Sequence, residues 1–221
     1  MRNPFPFLNS VPKKLFIPIG FLWLFLFSLP LGAQTKMNTG EASALRKKVK
    51  AVAKATRTIS SDFTQYKHLD FLSNDIISKG TLAFKAPDWV KWEYTEPFSY
   101  AVLFKNQTLY INDDGKKSNM DLGNNKIFKQ LNQLIAASIR GDMFDDATFD
   151  ISYYKEDNGD LVHFIPKDPQ FAEFISAFHI TFSTVGEVEE VKMIEPSGDY
   201  TQIIFSNRTQ NQPLPDAVFT Q

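Results

Sequence analysis

The side chains able to do chemistry in this sequence are few and scattered. There are three histidines, His68, His163 and His179, and no cysteine. A metal site needs three or four ligands at short recurring spacings. These histidines are not so spaced, and no His-Glu-x-x-His pair occurs, so no metal is expected. No Gly-x-Ser-x-Gly elbow presents a nucleophile, and no glycine fingerprint cradles a phosphate or dinucleotide. Asn112-Asp113-Asp114-Gly115 resembles part of a calcium loop without its alternate-position carboxylates; it reads as a hairpin turn. Asp145-Asp146 and the group Glu187, Glu189 and Glu190 read as solvated surface. Asn106-Gln107-Thr108 and Asn207-Arg208-Thr209 match a glycosylation sequon but read as turn or strand-end residues. Nothing here assembles an acid–base pair, an activated nucleophile or a cofactor cradle. The expectation is a protein that is not an enzyme and needs no cofactor.

What the chain does carry is aromatic mass. Of its 21 phenylalanines, 15 lie beyond Ala33, and Trp89, Trp92 and several tyrosines cluster in one region. Such residues build either a β-sheet core or an apolar ligand cavity, since ligand sites are mostly apolar and concave. Composition alone leaves both open.

The elements that would position them emerge from the hydrophobic period. Arg2, Lys13 and Lys14 precede an apolar run from Leu15 to Leu31, which ends in Gly32-Ala33-Gln34. This is the pattern of a secretory signal peptide over residues 1–33; an uncleaved membrane anchor is the alternative, disfavoured by Pro18, Gly20 and Pro30. Cleavage after Ala33 removes three basic residues and takes the formal charge from −1 to −4. A mildly acidic domain has no footprint for nucleic acid or anionic lipid. Residues 34–40 read as a flexible lead-in to a single domain over 41–221. Leu45, Val49, Val52, Thr56 and Ile59 recur at helical spacing. The period then changes, and short strands recur at regular intervals, from Ser61 to Ser206, separated by Ala86-Pro87, Glu96-Pro97, Asn158-Gly159 and similar turns. A second helix is expected from about Lys126 to Arg140, and residues 170–178 as a short helix or loop. The fold class is mostly β (α+β), with about eleven antiparallel strands. A sheet that large curls, and helices over its concave face would leave a pocket.

At Phe63-Thr64-Gln65 the sequence begins to resemble the LolA family of lipoprotein carriers. The resemblance continues through Gly80-Thr81-Leu82-Ala83-Phe84-Lys85-Ala86-Pro87, then Trp92-Glu93-Tyr94-Thr95-Glu96-Pro97, then Leu103 to Asn112. Ile127 to Ile139 resembles the family's lid helix. Phe63, Gln65, Gly80, Pro87 and Pro97 carry most of the match, which spans roughly Leu45 to Phe219. It implies an incomplete β-barrel with helices as a lid, and a periplasmic carrier that binds lipoproteins through their acyl moiety. It also implies an inner-membrane ABC-type release complex as donor and an outer-membrane acceptor. That acceptor is itself a lipoprotein, so a chain without cysteine is on the soluble side of the pair, expected as a monomer. One position departs from the family. Many members have an arginine before the proline of Lys-x-Pro that bonds to the lid; here it is Ala86, and strand alternation sends the adjacent Lys85 to the other face.

Alternation also places Val90, Trp92 and Tyr94 on one face, and Leu82 and Phe84 together. These five are expected to line the acyl-chain cavity, with Leu131, Leu134 and Ile135 closing over them. Ordinary core is the competing reading for each. Competing functions are a carrier or sensor of another lipid (a glycolipid or a free acyl chain), a protein-interaction module with a filled core, and an enzyme on a similar barrel.

Overall fold

The computed structural model describes residues 34–121 and 143–220. Asn38 opens helix α1 (Thr39–Ala55) with a capping box. Its side chain accepts the Glu41 N–H at 3.0 Å, and the Glu41 carboxylate accepts the Asn38 N–H at 2.9 Å. Leu45 and Val49 are buried on its inner face. The helix stops short of the stripe's expected end. Thr56 is the C-cap, its hydroxyl donating to the Val52 carbonyl at 2.8 Å, and Ile59 lies in a strand. Thr56, Thr58 and Ile59 are β-branched and favour extended backbone.

Twelve strands are described in chain order: β1 (Thr35–Lys36), β2 (Thr58–His68), β3 (Ile76–Lys85), β4 (Trp89–Glu96), β5 (Tyr100–Lys105), β6 (Thr108–Asp113), β7 (Lys116–Asp121), β8 (Phe149–Glu156), β9 (Gly159–Pro166), β10 (Ala177–Phe182), β11 (Val188–Ile194) and β12 (Tyr200–Gln210). They form one sheet in the order β1-β8-β9-β10-β11-β12-β2-β3-β4-β5-β6-β7. Every pairing is antiparallel. The fold is therefore mostly β, an open sheet with few helices, as the strand spacing predicted. Among the described residues β1 and β7 end the sheet without pairing to each other, so the barrel is incomplete.

Two strands depart from the sequence expectation. β7 reads Lys-Lys-Ser-Asn-Met-Asp and is exposed throughout, so it has no apolar alternation to betray it; the hairpin turn at Asp114-Gly115 places it beside β6. β1 lies in the stretch expected as a flexible lead-in, where Thr35 and Lys36 pair with Lys155 and Tyr154. Residues 169–172 form a one-turn helix, α2, whose N-cap Asp168 accepts from the Gln170 and Phe171 amides. The expected helix over 126–140 lies outside the described residues, as does the expected signal peptide.

Among the described residues the largest apolar cluster joins α1 to β8–β10 through Leu45, Val49, Phe149, Val162, Phe164, Phe178 and Phe182, with Val191 and Met193 of β11 packed against it. The opposite face of β3–β5 is sealed by the C-terminal segment, where Phe219 packs with Ala83 and Leu103. Lys85 points to that outer face, bonding the Leu214 carbonyl at 3.2 Å and pairing with Asp216. The three histidines share a face of the sheet. His163 and His179 are cross-strand partners with rings stacked at 3.7 Å between centroids, a juxtaposition that their sequence spacing does not suggest. Among the described residues no group of three or more potential metal ligands converges.

Candidate functional site

Phe63, on β2, is 1% exposed and sits opposite Gly80 on β3. A Cβ at Gly80 would lie 2.7 Å from the Phe63 ring and 2.1 Å from the Glu93 carbonyl oxygen. Only a glycine lets the ring and the neighbouring backbone approach so closely. The ring then meets Trp92 and Tyr94 edge-on, at 5.0 and 5.1 Å between centroids. Tyr94 donates its hydroxyl proton to Gln65 Oε1 at 2.9 Å, and burial pushes its phenol pKa up. Phe63, Gln65, Gly80, Trp92 and Tyr94, far apart in sequence, thus form one aromatic wall.

That wall bounds a cavity of about 390 Å³. Leu82, Trp92, Tyr94 and Val102 line it from β3–β5. Ile180, Val191, Met193, Ile203 and Phe205 line it from β10–β12, and Val49, Val52 and Ala53 from α1. The sheet must therefore curve, since strands near both ends of its order face one space. Phe84 and Val90 share strand parity with Leu82 and Trp92 but do not line the cavity. Each is 3% exposed and packed in a cluster with Ile59 and Leu82; they are core behind the wall. Leu131, Leu134 and Ile135 lie outside the described residues. Ala86, at the latch position, is half-buried against that same core cluster.

Two lining residues are invisible to the sequence pattern. Glu187, which reads as surface, and Arg208, which reads as part of a strand end, both reach the cavity. The Arg208 Nε lies 3.7 Å from Glu187 Oε1. It is buried and has no hydrogen-bond partner among the described residues. Burial lowers the Arg208 pKa, and Glu187 offsets part of that. No feature of the sequence marks the bulge that turns Arg208 inward.

The sequence matches the family profile described as "Outer membrane lipoprotein carrier protein LolA" over residues 54–221. The chain belongs to the LolA family. This family consists of non-catalytic periplasmic proteins that bind lipoproteins. An outer-membrane lipoprotein carrier protein of Chromobacterium violaceum is 25% identical over 185 residues, covering 81% of this chain and 83% of that one. Its counterpart in Pseudomonas aeruginosa is 23% identical over 199 residues, with 89% and 91% covered. A chain of the Pseudomonas aeruginosa MucA/MucB complex shares the fold, with a TM-score of 0.51, 10% identity, and 82% and 61% of the two chains covered. Within this LolA-family chain the remaining motif prolines stand at strand ends. Pro87 lies just past β3 and Pro97 just past β4, where a residue without an N–H costs the ladder nothing. No helix among the described residues is long and apolar enough to cross a membrane.

Proposed function

We propose that this LolA-family chain carries lipoproteins through the periplasm after cleavage at Ala33, shielding their acyl chains in the cavity beneath α1. It would receive them from an inner-membrane ABC-type release complex and pass them, as a monomer, to an outer-membrane acceptor. The observation that carries this reading is the cavity wall itself, built from aliphatic and aromatic side chains of α1 and both halves of the sheet. Its volume lies within the range of pockets that enclose small ligands. Each buried methylene contributes about 0.8 kcal/mol. About a dozen methylenes would therefore supply roughly 10 kcal/mol before the cost of association. Walls of this kind hold by area and shape, without directional bonds that would impede release.

Leu82, Trp92 and Tyr94 are the wall residues assigned to the acyl chain, and Leu131, Leu134 and Ile135 are assigned to the lid on the family resemblance. The purified mature protein, incubated with spheroplasts of its own cells, should bring lipoproteins into the soluble fraction. Failure to release any lipoprotein, with a folded protein and an intact donor complex, would overturn the proposal.

A further inference from the structure

The side chains on β12 change face at one point. Ile203 and Phe205 line the cavity, and Ile204 between them is exposed. Simple alternation would send Arg208 outward with Ile204 and Ser206. It does not, because β12 holds one extra residue between Ser206, opposite Asp62, and Thr209, opposite Ser60. Asn207 takes φ +51° there, and its amide donates to Asp62 Oδ2 at 2.7 Å. This bulge reverses the parity of the residues beyond it. Arg208 then lines the cavity, and Gln210 reaches Thr56, a lining residue at the end of α1.

Gln210 finds a hydrogen-bond partner on the inside; among the described residues the Arg208 Nε does not. Among the described residues its ion-pair contact is Glu187, and 3.7 Å is too long for a hydrogen bond. Its Nε is buried with no acceptor there. A guanidinium is a planar fork of donors that suits oxygen acceptors. Buried donors of this kind are ordinarily satisfied, and the bulge uses an extra residue to bring this one indoors. Glu187 is held beside it by the turn between β10 and β11, where Gly186 has φ +91° and Ser183 Oγ accepts the Glu187 N–H at 3.1 Å.

We propose that Arg208 is a polar anchor in the cavity, donating to an oxygen acceptor at the head of a bound acyl chain. This rests on the carrier reading and adds polarity to it: the hydrocarbon lies along the Trp92 and Tyr94 wall, with its oxygen-bearing end toward Arg208 and Glu187. The shared chemistry is an acyl oxygen, whether the carboxylate of a free fatty acid or the ester or amide carbonyl of a lipidated protein.

The test uses the mature protein stripped of lipid and three probes: palmitate, methyl palmitate and the oxygen-free dye diphenylhexatriene. Arg208→Met keeps much of the side chain's length without its donors. It should lower affinity for palmitate, relative to the dye, by about tenfold or more, the factor a hydrogen bond to a charged group contributes. Methyl palmitate should show a smaller loss of the same sign if the anchor serves a carbonyl, and none relative to the dye if it serves only a carboxylate. Glu187→Gln removes the competing carboxylate and should raise the palmitate-to-dye ratio. Arg208→Lys, which retains charge but loses the Nε donor and the fork, covers the case in which the methionine variant fails to fold; it should lower the same ratio. A ratio unmoved by all folded variants sinks the anchor alone. Absence of dye binding to the wild-type protein sinks the apolar cavity, and the anchor with it.

Discussion

Replacing Gly80 with alanine should damage the aromatic wall from behind. The new methyl would be 2.1 Å from the Glu93 carbonyl oxygen and 2.7 Å from the Phe63 ring, where real Cβ contacts essentially never fall below 3.0 Å. About 1 Å must be recovered from the oxygen. That oxygen belongs to β4 backbone between Trp92 and Tyr94, so it cannot swing aside as a side chain would. Overpacking costs about 1–3 kcal/mol, and more where backbone moves; the upper end, about 3 kcal/mol, applies here. At about 2–4 °C per kcal/mol for a domain of this size, Tm should fall by roughly 6–12 °C, with a matching drop in the urea midpoint at unchanged slope. Phe63→Leu in the same chain should not rescue it, because the closer clash is with Glu93. Gly115→Ala is the control. It meets nothing within 4 Å and suffers only from its φ of +88°, about 1–2 kcal/mol. Thermal unfolding monitored by circular dichroism reads all three. A Gly80→Ala protein melting within a degree or two of wild type, or no worse than the Gly115 control, would refute the close-approach argument.

Trp92→Glu places a carboxylate on the cavity wall; the variant should fold but lose lipoprotein release from spheroplasts, and global unfolding would instead assign Trp92 to the core. Phe84→Ala should cost about 3–5 kcal/mol of stability in urea titration, the ordinary toll of truncating a buried phenylalanine, because Phe84 is core rather than cavity lining. The His163–His179 stack should destabilise the fold in acid. Burial, then the His163 and Lys192 charges, lower the His179 pKa to about 4 from 6.5, and burial lowers that of His163, with Glu156 opposing. A base whose folded pKa is depressed favours folding fully above its unfolded pKa and less as pH falls. The His179 contribution should therefore fade between pH 6.5 and about 4. Urea midpoints across that range should decline less steeply for His179→Gln than for wild type.

Hydrophobic periodicity discloses much of this fold and fails at definite places. Short apolar runs between turn residues reveal most of the sheet, and the Phe63, Gly80 and Trp92 motifs reveal the family. Parity groups Phe84 and Val90 with Leu82 and Trp92, because a period of two tells face but not depth along a strand. β7 stays hidden because an exposed strand needs no apolar residues. Glu187 and Arg208 are missed for a different reason. The inward turn of Arg208 depends on a bulge set by contact between strands distant in sequence, Asn207 with Asp62, and that of Glu187 on the geometry of a tight hairpin closed by Ser183 and Gly186, which periodicity does not read. The helical stripe overruns α1 by one turn because Thr56 and Ile59 keep helical spacing while already bending into β2.

The pairing of β12 with β2 bears on how the molecule reaches this state. β2–β7 and β8–β12 are each consecutive in sequence and neighbours in the sheet, and the β12–β2 pairing is what joins the two groups. Each would present a bare oily face to water until the final strand arrives, and contacts between residues so remote in sequence form slowly. A nascent chain halted before Tyr200 would lack both the seam and the part of the cavity wall that Ile203 and Phe205 supply, leaving it open to proteases and self-association.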